Sequence, residues 1–141
     1  MAEGLVSSGK VNDVCGIILL PDNWSGAPAG ISFVTFVDKD EVEWTADSYY
    51  DIPDNAYTYN SLTESEWKKM ESAGAVFLPA AGYRVYTDVT QPNWYGAYWS
   101  TTAHKTAEDL ALVLGFQSEG VYLSGASYRS YGYSVRLVRD N

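Results

Sequence analysis

The sequence predicts an α+β fold. Three observations carry that prediction: one capped helix in mid-chain, several short runs of β-branched and aromatic residues, and long aperiodic stretches between them. Strand character is concentrated in the C-terminal half. The 141 residues fit one domain, 1–141. That length buries a core without disulfides or metals.

Gly16-Ile17-Ile18-Leu19-Leu20 is a short apolar run, and Pro21-Asp22-Asn23 stops it with turn chemistry. Residues 25–30 hold two glycines and one proline and read as loop. Residues 31–37, β-branched and aromatic, read as a strand. From 38 to 59 the chain is acidic, aromatic and without clear period. It reads as a long loop with room for one short strand.

The helix begins at Thr63. Thr63 and Glu66 form a T-x-x-E capping box, in which each side chain satisfies a free backbone N–H of the first turn. Trp67 and Met70 give it an apolar side. Gly74 is placed to end it, because glycine enters the left-handed cap without steric cost.

Residues 76–78 and 83–86 read as two strand pieces around a tight turn at 79–82. Residues 91–96 read as loop, and Tyr98-Trp99-Ser100 opens another strand. Residues 107–111 have helical character. However, Leu110, Leu112, Leu114 and Phe116 alternate with Ala111, Val113 and Gly115, and that period of two favours a strand. Residues 121–123 and 133–138 read as two more strands. Between them Ser124-Gly125-Ala126-Ser127-Tyr128 reads as a small-residue loop. Val135 and Leu137 are expected to point inward, and Trp67 and Trp99 to sit in the core.

Composition narrows the function. The net charge of −9 argues against nucleic acid, whose recognition needs a positive field, and against anionic membrane surfaces. No stretch approaches the length of a membrane-spanning helix, and no secretory signal is visible at the start. Cys15, the one cysteine, allows no internal disulfide and reads as a buried thiol. Five Trp and twelve Tyr are many for this length; such side chains serve both aromatic cores and binding surfaces.

Four segments carry a resemblance. They are Leu20-Pro21-Asp22-Asn23-Trp24, Phe77-Leu78-Pro79-Ala80-Ala81-Gly82-Tyr83-Arg84, Tyr98-Trp99-Ser100-Thr101-Thr102, and Gly132-Tyr133-Ser134-Val135-Arg136-Leu137-Val138-Arg139-Asp140. In this order the chain resembles the Fibrobacter-type major paralogous domain of Bacteroidetes. That family is similar to the formylglycine-generating-enzyme branch of the C-type lectin fold. The Tyr-Trp-Ser pattern and the ending also resemble variable proteins of diversity-generating retroelements, including gut phage proteins. The resemblance implies a C-type-lectin-like domain: a small twisted antiparallel sheet, one or two helices and long loops. It also implies an N-terminal part shorter than the family's, and a place on a cell surface or virion.

No enzyme is expected. The copper-dependent cysteine oxidation of the enzyme branch uses two cysteines, and His104 has no nucleophile elbow to serve. No cofactor or metal site is expected. The acidic run Asp38-Lys39-Asp40-Glu41 has calcium-type oxygens but lacks the EF-hand glycine spacing, and it reads as a solvated face.

By the resemblance, variable positions lie between a fixed frame of Tyr98-Trp99-Ser100 and residues 129–139. The candidate ligand contacts are Ala103, His104 and Thr106 in one loop, and Tyr122, Ser124, Gly125, Ser127 and Tyr128 in the next. Retroelement mutation of asparagine codons reaches Tyr, Ser, Gly, Ala, His, Asp and Thr, which suits residues 122–128; Lys105 and Glu108 lie outside that set. Arg129 and Arg136 are expected to bond across the sheet. The expected function is a ligand-binding module for a protein or glycan on a cell surface. The alternative is an assembly domain of an envelope or fimbria-like protein with no ligand of its own.

Overall fold

The computed structural model describes residues 6–35, 49–51, 56–118 and 120–137; the side chains of residues 49–51, 56, 120 and 122–124 are outside that description. The first two strands, β1 (Val6–Val11) and β2 (Val14–Leu19), form an antiparallel hairpin running from Val6↔Leu19 to Val11↔Val14. Its turn residues, Asn12 and Asp13, have φ of 50° and 66°. A two-residue hairpin turn of the primed type needs both residues left-handed, and Asn and Asp tolerate that conformation.

This hairpin is the centre of a four-stranded sheet. The short β4 (Ser61–Leu62) runs parallel to β1, and β5 (Val76–Pro79) runs antiparallel to β2. Between them lies α1 (Glu64–Ser72). Its capping box is complete: Glu66 N donates to Thr63 Oγ1 at 3.4 Å, and Thr63 N donates to Glu66 Oε2 at 2.8 Å. Ala73 is the C-cap, and Gly74 follows at φ 95°. Met70 is fully buried, and Trp67 lies 5.7 Å from the Phe77 ring. With Ile18, Leu20, Leu62 and Ala75 they form one of two core clusters.

The second four-stranded sheet is antiparallel, in the order β3 (Tyr49–Asp51), β10 (Gly120–Tyr128), β9 (Leu110–Gln117), β8 (Gly96–Ala103). Tyr98, Phe116 and Val121 from this sheet meet Cys15, Ile17 and Leu78 from the first, with Tyr57 from a short 3-10 turn, Ala56–Thr58. A two-stranded hairpin, β6 (Tyr83–Val85) and β7 (Asp88–Thr90), makes the third sheet.

The structure corrects the predicted fold class. Among the described residues 45% are in strands and 10% are helical, so the protein is predominantly β rather than α+β. Three sheets replace the one small sheet expected. The helix is nine residues long, and the Ser/Gly/Ala run at 124–128 belongs to β10 instead of a loop. Pairing with β9, from Gly125↔Val113 to Tyr128↔Leu110, overrides the weak strand propensity of those small residues.

Two further readings change. Residues 31–35 form no strand; they pack Ile31 and Phe33 against the α1 cluster and are pinned through the buried Asn60. The two strand pieces read around the turn at 79–82 are present as β5 and β6, and they belong to different sheets. The segment 133–137 forms no strand; its one backbone pairing with the sheets is the isolated bridge Tyr98↔Ser134. Val135 is 66% and Leu137 88% exposed, the reverse of the inward placement expected. The chain leaves β8 after Ser134, so the alternation that follows has no sheet face to bury against.

Candidate functional site

The C-terminal segment 131–134 is a clasp. Arg84 N donates to Gly132 O and Gly132 N to Arg84 O, both at 2.8 Å. Two residues on, Ser134 N donates to Ala97 O at 3.0 Å, and Trp99 N donates to Ser134 O at 3.1 Å. One short segment thereby ties the β6–β7 hairpin to the edge of β8.

The clasp gathers aromatic rings from four stretches of chain. Tyr83 of β6 lies 5.6 Å from Tyr95, 6.2 Å from Tyr131 and 5.7 Å from Tyr133. Tyr133 lies 4.9 Å from Trp99 and 6.1 Å from Tyr131, and Tyr131 lies 5.9 Å from Tyr128. Tyr128 is 53% exposed; the others are half-buried, so each ring has one side on the body and part of another in water. Burial pushes the Tyr133 phenol up, opposed by a hydrogen bond with Ser127, whose Oγ lies 2.7 Å from the Tyr133 hydroxyl.

Two arginines adjoin these tyrosines in sequence, Arg84 after Tyr83 and Arg129 after Tyr128. Arg84 lies across β6, its Nε donating to Tyr86 O at 2.9 Å. A cleft of about 240 Å³ opens there, lined by Arg84, Tyr86, Tyr131 and Gly132 among others. Tyr86, at the hairpin tip, is 91% exposed with φ 52°, an uncommon conformation for an aromatic residue. Arg129, beside Tyr128, donates from Nε to Leu110 O at 3.1 Å, a bond across the sheet as expected. Among the described residues no such bond holds Arg136, which is exposed. Among the described residues the one ion pair is Lys68–Glu64, far in sequence from this face.

The predicted contact residues divide. Ala103 ends β8 in an exposed position, paired with Ala111. Thr106 is exposed, while His104 is half-buried and acts as a local brace. Its Nδ1 accepts from Ala107 N at 3.0 Å and Thr106 N at 3.4 Å. Tyr122, Ser124, Gly125, Ser127 and Tyr128 lie on β10, with a register shift between Tyr122 and Gly125. The side chains of Tyr122 and Ser124 are outside the described residues. Of this set, Ser127 and Tyr128 reach the aromatic face.

No pattern in the sequence marks Tyr83, Tyr95, Tyr131, Tyr133 or Arg84 as contact residues. The local signal is the tyrosine spacing at 128, 131 and 133, of which the resemblance places Tyr131 and Tyr133 in a fixed frame and Tyr128 among the candidate contacts.

Cys15 is buried and free, and burial pushes its thiol up against the opposing charge of Lys10. Among the described residues no group of three or more His, Cys, Asp or Glu could hold a metal; the run Asp38–Glu41 lies outside them. No helix among them is long and apolar enough to cross a membrane.

Residues 34–138 match a protein family described as a domain of unknown function, DUF8237. The match spans most of the chain, and the protein belongs to that family. Comparison with curated proteins and with solved structures gave no match.

Proposed function

We propose that this protein is a recognition module whose contact surface is the tyrosine face, and that its partner is a protein displayed on a cell surface. The observation that carries the reading is the partial exposure of six clustered rings, Tyr83, Tyr95, Trp99, Tyr128, Tyr131 and Tyr133, with Arg84 and Arg129 next in sequence to Tyr83 and Tyr128. Tyr, Trp and Arg are the residue types that dominate protein contacts, because they combine stiff apolar area with a polar or charged tip. In a chain of net charge −9, arginines gathered beside such rings favour a partner with acidic groups around its own apolar centre.

The test is selection of binders from a random-peptide display library, with a glycan array run in parallel. Wild type is expected to enrich peptides. Tyr128→Ala and Tyr86→Asn, both at exposed positions, should weaken those peptides about tenfold or more with an unchanged melting temperature. Peptides that bind both variants undiminished, or enrichment on glycans alone, would overturn the assignment.

A further inference from the structure

A second concavity includes Trp99 in its lining. It is a groove of about 520 Å³ between the two four-stranded sheets, lined by Leu19, Val76, Leu78, Tyr98, Trp99, Ser100, Leu114, Arg136 and Leu137. Small-molecule sites commonly measure roughly 300–1,000 Å³, with a mainly apolar wall and few polar groups. The floor here is continuous with the core, since Leu19, Val76 and Leu114 pack partly buried against the buried Leu78 and Tyr98. The lining also includes two polar residues, Ser100, whose Oγ accepts from Thr102 N at 3.1 Å, and Arg136.

Two observations give this groove a chemical preference. Arg136 has no carboxylate within ion-pair distance among the described residues, although the chain is strongly acidic. Its charge also reaches the Tyr98 phenol, which burial raises and which the Ser134 hydrogen bond and then Arg136 lower. Arg136 lines the groove, so a bound anion can pair with it there.

We infer that the groove between β5 and β8 binds a small amphipathic carboxylate, its alkyl or aryl part against Leu19, Val76, Leu78 and Leu114 and its carboxylate on Arg136. Arginine suits this task because its planar fork meets both carboxylate oxygens and it stays charged. This site shares Trp99 with the tyrosine face but does not rest on that reading.

The experiment is calorimetric titration of the full chain with decanoate and, separately, with decylammonium, both kept below aggregation. Decanoate should bind saturably, one per chain, and about tenfold or more tighter than decylammonium, the difference that one charge-assisted pair supplies. Arg136→Gln, at an exposed position, should erase that preference with an unchanged circular dichroism spectrum. Ser100→Trp, at the exposed rim, should block both ligands. Absence of saturable decanoate binding to folded wild type would overturn the inference. So would equal affinity for the two ions, or undiminished preference in Arg136→Gln.

Discussion

Gly132 and Arg84 lie back to back. They exchange both backbone hydrogen bonds at 2.8 Å, and a Cβ on Gly132 would stand 2.9 Å from the Arg84 Cβ. No larger residue fits without pushing the clasp off β6. Gly132→Val is therefore expected to destabilise the fold by about 1–3 kcal/mol, the usual cost of forcing extra atoms into a packed site. Urea denaturation measures the loss. Chemical-shift changes should centre on residues 82–86 and 131–134.

Asn60 is fully buried and joins three segments. Its Nδ2 donates toward Ser7 Oγ at 3.0 Å, Ser8 O at 2.9 Å and Val34 O at 2.9 Å, and its Oδ1 accepts from Val34 N at 2.8 Å. Asn60→Ala leaves the Ser8 carbonyl and the Val34 amide without that partner. A loss of about 2–4 kcal/mol is expected, since each stranded buried group costs about 1–3 kcal/mol. Hydrogen exchange should show the Val34 amide losing protection in the variant.

Burial raises the phenols of Tyr57, Tyr98 and Tyr133, most strongly for Tyr57, which is 3% exposed and donates to Trp94 O at 2.9 Å. An unfolded tyrosine ionises near pH 10. Above that pH the unfolded chain loses protons that the folded chain keeps, so stability falls as pH rises. Below it both states hold the neutral phenol and the contribution is intact. Urea midpoints measured from about pH 8 to about pH 11 should decline, and more shallowly in Tyr57→Phe.

The Ser127–Tyr133 hydrogen bond links β10 to the clasp. Ser127→Ala, Tyr133→Phe and the double variant form a thermodynamic cycle. A coupling energy of about 0.5–1.5 kcal/mol is expected from a single neutral hydrogen bond. A coupling of zero would show that the two hydroxyls prefer water.

Legibility followed locality. Thr63, Glu66 and Gly74 act within a few residues of one another, so α1 could be read with its caps. The alternation from Leu110 to Phe116 marked β9 for the same reason. The run Ser124-Gly125-Ala126-Ser127 carries no strand signal of its own; it is a strand because β9 lies beside it. Val135 and Leu137 fail in the opposite sense, having the right period and no sheet to meet. The tyrosine face was illegible for a further reason. Its rings come from β6, Tyr95 just before β8, β8 itself, the end of β10 and the clasp, and nothing before folding places Tyr83 beside Tyr131.

The β1–β2 hairpin precedes the residues that match the family, yet Ile17 and Ile18 are fully buried in the interior. A protein begun at residue 34 would strip β5 of β2 and turn Leu78 and Met70 toward water. Bare strand edges invite pairing between molecules. Expression plasmids drawn to the family boundary should therefore yield inclusion bodies, and those that keep the first nineteen residues should yield soluble material.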